Sequence, residues 1–214
     1  MDYNKYAKKL FKKAKKARQF SNYYRILVIS DLHGLLDKPY NIDPVDDYFI
    51  LGDLSQNDIR ILNECIPMNK TYYLYGNHDT YNQYMDCIRL HGRFNNSIVS
   101  FTGIEGSYKY KESNAPLFTH EQSIDIANSL GEADILFTHD RAYIDDSSDH
   151  AHCGLLGISE YLCKNRVPIH IHGHTHENKI ETLPNGTISI GVRGIAIINI
   201  SDTISVEQLF DWKP

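Results

Sequence analysis

Eight side chains able to bind a metal or move a proton stand at the ends of short apolar runs: Asp31, His33, Asp53, Asn77, His78, His139, His174 and His176. The densest stretch is Ile171-His172-Gly173-His174-Thr175-His176, where an extended backbone with a tight bend can present two imidazoles to one cavity. A His-x-His pair alone is equally compatible with a polar strand, so its meaning depends on the groups upstream. Two carboxylates, one amide and five imidazoles are more than one tetrahedral or octahedral ion can use, and they suit two borderline divalent ions. A carboxylate shared between two ions holds them about 3.5–4 Å apart, the spacing at which two-metal hydrolases clamp phosphoryl oxygens. Asp53 is the obvious bridge.

The elements that must position these groups alternate along the chain. Residues 25–30 (Arg-Ile-Leu-Val-Ile-Ser) form an apolar, β-branched run of strand length that stops at Asp31-Leu32-His33-Gly34. Residues 48–51 stop at Gly52-Asp53, and residues 71–75 stop at Gly76-Asn77-His78-Asp79 after a predicted helix over 56–66. A helix is expected over 80–90, one or two strands over 97–110, a helix over 120–130 and a strand over 134–138 that stops at His139-Asp140. A polar loop over 141–154 and a short helix to about residue 165 lead to a strand after Pro168 that enters the histidine stretch. Pro184-Asn185-Gly186 marks a hairpin, and residues 194–200 read as a last strand. In open α/β sheets the ligand site lies beyond the carboxyl ends of the strands, so the groups would converge there. Mixed βαβ units followed by antiparallel hairpins predict two sheets packed face to face with helices outside.

Composition narrows the class. With 214 residues, 42% apolar and 23% charged, the chain suits one globular domain with a large core, neither disordered nor fibrous. Cys65, Cys87, Cys153 and Cys163 are far apart and form no C-x-x-C pair, which argues for reduced thiols buried as small hydrophobes. No apolar run approaches the roughly 20 residues of a membrane span and no secretory h-region opens the chain, so a cytoplasmic location is expected. Residues 1–20 carry eight basic residues and one acid, +7 against −12 for the rest of a chain of net charge −5. Tyr3, Tyr6, Leu10, Phe11, Ala14 and Ala17 recur at three- and four-residue spacing, so residues 1–22 are expected to be a basic amphipathic helix and 23–214 the main domain. Such a helix either packs its apolar stripe on the body or serves as an arm for nucleic acid or anionic lipid; the first is the commoner outcome.

The ordered blocks Asp31-Leu32-His33, Gly52-Asp53, Gly76-Asn77-His78-Asp79, His139 and Gly173-His174-Thr175-His176 resemble the five signature motifs of the calcineurin-like metallophosphoesterase superfamily, over about residues 24–200. The resemblance implies a four-layer α/β/β/α sandwich with two mixed sheets and flanking helices. It also implies one metal held by Asp31, His33, Asp53 and His176, and another by Asp53, Asn77, His139 and His174. His78 takes the part of proton donor or phosphate contact, with Asp79 orienting it. A physical reason stands beside this assignment. Water between two cations loses its proton near neutral pH and becomes an in-line nucleophile, while a departing alkoxide leaves poorly unless protonated. His78, with an ordinary pKa of about 6.5, is suited to supply that proton; a third metal ligand or a plain phosphate donor is its alternative role. The mixed donors suit Mn, Fe, Zn or Ni, and Mn is the first choice because the family is commonly active with it.

Ser/Thr protein phosphatases of this superfamily carry an Arg-Gly soon after the Gly-Asp block and an Arg after the Gly-Asn-His block. Here Gly52-Asp53 is followed by Leu54-Ser55-Gln56-Asn57-Asp58, with Arg60 displaced, which disfavours that activity. The chain is little longer than the core fold and resembles the small bacterial or phage-type phosphodiesterases. In the loop after His139, Arg141, His150 and His152 are candidate phosphate or base contacts. His91 and His120 fall at element boundaries, where capping or surface roles are commoner than catalysis, and His172 is expected to support the ligand pair. There is no P-loop and no G-x-G-x-x-G. The expected function is hydrolysis of phosphodiesters of a small nucleotide-type substrate by a metal-bridging hydroxide. The alternatives are a phosphomonoesterase, a nuclease that uses the basic N-terminal helix, and a catalytically silent interaction scaffold.

Overall fold

A computed structural model describes residues 2–19, 22–143 and 149–212. The basic segment forms α1 (Tyr3–Lys13), N-capped by the Asp2 carboxylate, with Ala7 and Phe11 buried and Lys5, Lys8, Lys9, Lys12 and Lys13 exposed. The helix stops short of its expected extent because the backbone becomes extended at Ala14, and Ala17 N–H then pairs with the Asn185 carbonyl. Next come β1 (Tyr24–Ser30), β2 (Asp47–Ile50), α2 (Gln56–Leu62), β3 (Thr71–Tyr73) and β4 (Ile88–Arg89). The second half supplies β5 (Arg93–Asn95), β6 (Ser100–Ile104), the short pair β7 (Ser107–Tyr108) and β8 (Leu117–Phe118), α3 (His120–Ser129), β9 (Ile135–Thr138) and α4 (Leu156–Asn165). It continues with β10 (Ile169–His172), β11 (Lys179–Thr182), β12 (Ile188–Gly191), β13 (Gly194–Ile200) and β14 (Ile204–Phe210).

Two six-stranded mixed sheets result, ordered β14-β13-β1-β2-β3-β4 and β11-β12-β10-β9-β6-β5. In β1, Ile26 and Val28 face the other sheet while Leu27 and Ile29 face away, the period-two alternation of a strand buried on both sides. Between the sheets the Phe49 and Phe137 rings stack with centroids 3.8 Å apart. The outer face of the first sheet is covered by Ile61 and Leu62 of α2, and that of the second by Phe11, Ala127, Ile158 and Leu162 of α1, α3 and α4. The layers are therefore helix, sheet, sheet, helix, as expected.

Several local expectations change. Residues 80–90 are not a helix but a run of turns leading into β4. The buried Asp79 carboxylate accepts from Gln83 Nε2 and Tyr84 OH, and Asn82 adopts φ +68° while its N–H bonds Tyr75 OH. These side-chain bonds outcompete the helical ladder. Helix α2 ends at Leu62 rather than at residue 66, before the turn into Pro67. A strand missed from the sequence, β14, follows β13. The described part of the 141–154 loop carries a single 3-10 turn, His150–His152, and residues 144–148 lie outside the described residues. No helix is long and apolar enough to cross a membrane among the described residues.

Candidate metal centre

Every candidate donor follows the carboxyl end of a parallel strand: Asp31 and His33 after β1, Asp53 after β2, Asn77 after β3, His139 after β9, and His174 and His176 after β10. The loops are cross-linked by main-chain bonds from Asp31 N–H to Gly52 (3.1 Å), His33 N–H to Asp53 (3.1 Å) and Gly173 N–H to His139 (3.0 Å). Asp31, His33, Asp53, His174 and His176 all have φ between +50° and +64°. A non-glycine residue persists in that region only where its surroundings over-determine it, a feature that clusters at functional sites. Close approach also explains Gly76, because a Cβ there would lie 2.1 Å from Asp53 Oδ1 and 2.7 Å from His139 Cε1.

The donors form two adjoining sets, Asp31 with His33 and His176, and Asp53 with His139 and His174. In the first, His33 Nε2 and His176 Nε2 are 3.2 Å apart and lie 3.9 and 3.6 Å from Asp31 Oδ1. Donors so spaced suit a common cation at about 2.1 Å from each. In the second, His139 Nε2 is 2.8 Å from Asn77 Oδ1 and 3.5 Å from Asp53 Oδ2. His139 Nδ1–H donates to the Leu51 carbonyl (2.7 Å), and His174 Nε2–H donates to the Ala151 carbonyl (2.7 Å). Carbonyls only accept, so the other nitrogen of each neutral ring keeps its lone pair.

Burial dominates the electrostatics. It pushes His139 and His174 down to about 4, so both are neutral and able to ligate at neutral pH. Burial, with Asp31 and Asp79 alongside, raises the Asp53 carboxyl well above the usual range. Burial also opposes ionisation of Asp31, but the His176 and His139 rings, the Ser30 hydroxyl and the His174 N–H outweigh it and hold that carboxyl low. Each carboxylate has one oxygen in use: Asp31 Oδ2 accepts from Ser30 Oγ–H (2.5 Å) and His174 N–H (2.9 Å), and Asp53 Oδ1 from His78 N–H (2.8 Å). Asp31 Oδ1 and Asp53 Oδ2 are buried without a hydrogen-bond partner among the described residues. Buried oxygens left unpaired are costly, and here Asp31 Oδ1 lies 3.9 and 3.6 Å from the Nε2 atoms of His33 and His176 and Asp53 Oδ2 3.5 Å from that of His139. The donor set fits a pair of divalent cations.

The remaining candidates separate. His78 is exposed, its ring 5.4 Å from that of His33; partial desolvation and the nearby Lys111 charge lower its pKa. Asp79 does not hold the His78 ring among the described contacts, contrary to expectation. Its carboxylate instead accepts from the N–H groups of Gly76 (2.7 Å), Asp53 (3.0 Å) and Leu54 (3.3 Å), because it is turned inward beneath the two ligand loops. The His152 ring lies 4.8 Å from that of His174, with Nδ1–H on Asp149 (2.6 Å). Arg141 pairs with Glu181 (3.7 Å), and His150 is exposed. His120 has the capping role anticipated, its Nδ1 accepting from Leu156 N–H (3.4 Å) at the start of α4. His91 is exposed beside β4, and Arg60 pairs with Glu64 on the surface. Four residues were missed: Tyr110, whose hydroxyl is 3.4 Å from Asn77 Nδ2; Lys111; Asp140, pushed up to about 6 by burial; and Trp212. An acid directly after His139 was visible in the chain, but nothing local marked the other three.

A four-layer sandwich that gathers carboxylate, amide and imidazole donors at the meeting ends of its two sheets is a metal-binding α/β scaffold. A family model described as calcineurin-like phosphoesterase matches residues 24–178, and the chain belongs to that family. Among solved structures, that of the Thermus thermophilus protein TT1561 is 12% identical at a TM-score of 0.54, covering 86% of this chain and 98% of that one. Phosphopantetheinyl hydrolase from Mycobacterium tuberculosis is 14% identical at a TM-score of 0.53, covering 85% of this chain and 90% of that one. At such identities these likenesses speak to the fold. No curated protein sequence matches the chain.

Proposed function

We propose that the protein is a two-metal phosphoesterase that hydrolyses phosphodiesters of small, nucleotide-type substrates. The observation that carries the reading is the pair of adjoining donor sets, each with a buried carboxylate oxygen that lacks a partner among the described residues. One cation would be held by Asp31, His33, Asp53 and His176 and the other by Asp53, Asn77, His139 and His174, with manganese the first choice. Bound there, the cations would supply Lewis acidity, lowering the pKa of water and offsetting charge on phosphoryl oxygens.

The chain's own groups supply orientation and proton transfer. The Leu51 and Ala151 carbonyls fix the tautomers of His139 and His174, so each ring offers a lone pair without first losing a proton. His78, tied by its N–H to Asp53 Oδ1, gives a proton to the leaving oxygen; its lowered pKa makes the imidazolium a stronger acid. Asp79 keeps the loops carrying Asp53 and Asn77 together. Of the substrate-contact candidates, His152 stands beside the His174 ring, and Arg141 would have to leave Glu181 to take part. Charge supports the diester. Arg193 is paired with Asp211 and Arg141 with Glu181, while Lys111 acts on both Asp53 and His78. A singly charged diester asks for less compensation than a dianionic monoester.

The test is turnover of bis-p-nitrophenyl phosphate against p-nitrophenyl phosphate after metal removal and re-addition of Mn. Metal-dependent diester turnover that collapses in Asp53→Ala is the expected result. Preference for the monoester would make the protein a phosphomonoesterase, and metal binding without turnover of either ester would point to a narrow natural substrate or to the scaffold reading. The exposed lysine row of α1 is what a nuclease would use; steep loss of DNA cleavage between low and moderate salt would favour that activity.

A further inference from the structure

Trp212, the only tryptophan of the sequence, reaches the first donor set from the segment after β14, outside the 24–178 stretch that the family model matches. Its indole N–H donates to the Asp31 main-chain carbonyl (2.7 Å), and its ring meets those of His33 and His176 edge-on at 5.8 and 5.3 Å. Arg193 covers the indole, 5.2 Å from its centroid, and holds the Asp211 carboxylate through Nε (2.8 Å) and Nη2 (2.7 Å). Its Nη1 donates to the His176 carbonyl (2.9 Å). One indole and one guanidinium therefore bond the main chain of two members of the set and pack against the third. Asp31 and His176 are among the residues at positive φ, a conformation that depends on outside support.

We propose that Trp212, clamped by Arg193, is a positioning residue for the Asp31, His33 and His176 set, holding the Asp31 main chain and both imidazole planes for a divalent cation. The inference rests on the reading that this set holds a cation. Outer partners that orient ligands commonly change metal affinity by 10–100-fold when removed, and a cation over an indole face restrains the ring. The second set has different supports, the Leu51 and Ala151 carbonyls, so the effect of Trp212 is confined to one of two sites. Emission from a lone tryptophan also reports on the set it touches.

The experiment titrates the metal-stripped full chain with Mn²⁺, followed by calorimetry and by tryptophan emission. In the wild type, emission is quenched as the paramagnetic ion binds; the quench persists in His174→Ala and disappears in His176→Ala. Calorimetry on Trp212→Ala shows one of two binding events weakened about 10-fold and the other unchanged. Trp212→Phe keeps the ring and loses the N–H, and it gives a smaller loss at the same site, which keeps the test decisive should the alanine variant fold poorly. Wild-type affinity at both sites in Trp212→Phe and in a folded Trp212→Ala would overturn the proposal. Unquenched emission in wild type with Mn²⁺ calorimetrically bound would overturn it as well. Absence of any Mn²⁺ binding to the wild type would instead overturn the two-metal reading, and the positioning role with it.

Discussion

His170, His172, His174 and His176 occupy alternate positions in one stretch, yet the first pair and the second serve different ends. His170 spends both ring nitrogens inside the protein, 2.8 Å from Thr138 Oγ1 and 3.1 Å from Ser189 Oγ, and His172 Nδ1–H donates to the Gly173 carbonyl (3.0 Å). Their rings stack at 5.1 Å. His174 and His176 follow the end of β10, where φ turns to +64° and +53°, and their rings swing toward Asp53 and Asp31. All but His176 are buried, and burial lowers the pKa of His170, of His172 and of His174. Burial and neutrality therefore do not distinguish a ligand from a core imidazole. His170 differs in that both its ring nitrogens meet hydroxyls, whereas His174 and His176 gather beside carboxylates that each keep an oxygen without a partner among the described residues.

Breaking the second arrangement should abolish activity and breaking the first should not. Asp53→Ala is expected to lower diester kcat on the order of 10³-fold, with Mn²⁺ uptake reduced and circular dichroism unchanged. A variant that stays active would remove Asp53 from the centre. Next in size, His78→Ala should cost roughly 10²-fold on an alkyl leaving group and little on p-nitrophenolate, which leaves without a proton. Equal losses on both esters would make His78 a phosphate contact. Gly76→Ala places a methyl 2.1 Å from Asp53 Oδ1 and should weaken Mn²⁺ binding about 10-fold or more, measured by competition with a chelating dye.

The core pair sharpens the contrast from the other side. His170→Ala leaves the buried hydroxyls of Thr138 and Ser189 without the ring and should cost about 1–3 kcal/mol in urea unfolding, with kcat changed less than a few-fold. The same histidine carries a pH signature. Its folded pKa lies below the unfolded value of about 6.5, so below that pH the unfolded chain binds the proton that the folded chain refuses. Its contribution is present above the unfolded pKa and is lost as pH falls. The stability advantage of metal-free wild type over His170→Gln should therefore shrink as pH drops from 7 to 5, by at most about 1.4 kcal/mol per unit. An advantage independent of pH would mean that folding leaves the pKa of the ring unchanged, and one that grew as pH fell would mean that the fold holds the ring charged.

Much of the centre was legible along the chain. Each strand that feeds it is a short apolar or aromatic-rich run closed by Gly, Asp, Asn or His, and both signals are local, so Asp31, His33, Asp53, Asn77, His139, His174 and His176 could all be collected by position. Two packed sheets with helices outside followed from the same runs, but not the strand order within them. The 80–90 segment was misread because its helical spacing was real, while the groups that override it, Asp79 and Tyr75, act from outside the segment.

The sequence alone marked the candidate donors and the alternation of strands and helices that carries them, because strand periodicity and strand-ending residues depend on near neighbours. Tertiary structure decided how each polar group is used. His170 became a core residue through Thr138 and Ser189, Asp79 became a loop anchor through main-chain N–H groups of two loops, and Trp212 came to rest on Asp31 from 181 positions away. A buried polar side chain takes its role from whichever partner satisfies it, and those partners arrive from strands far apart in the chain.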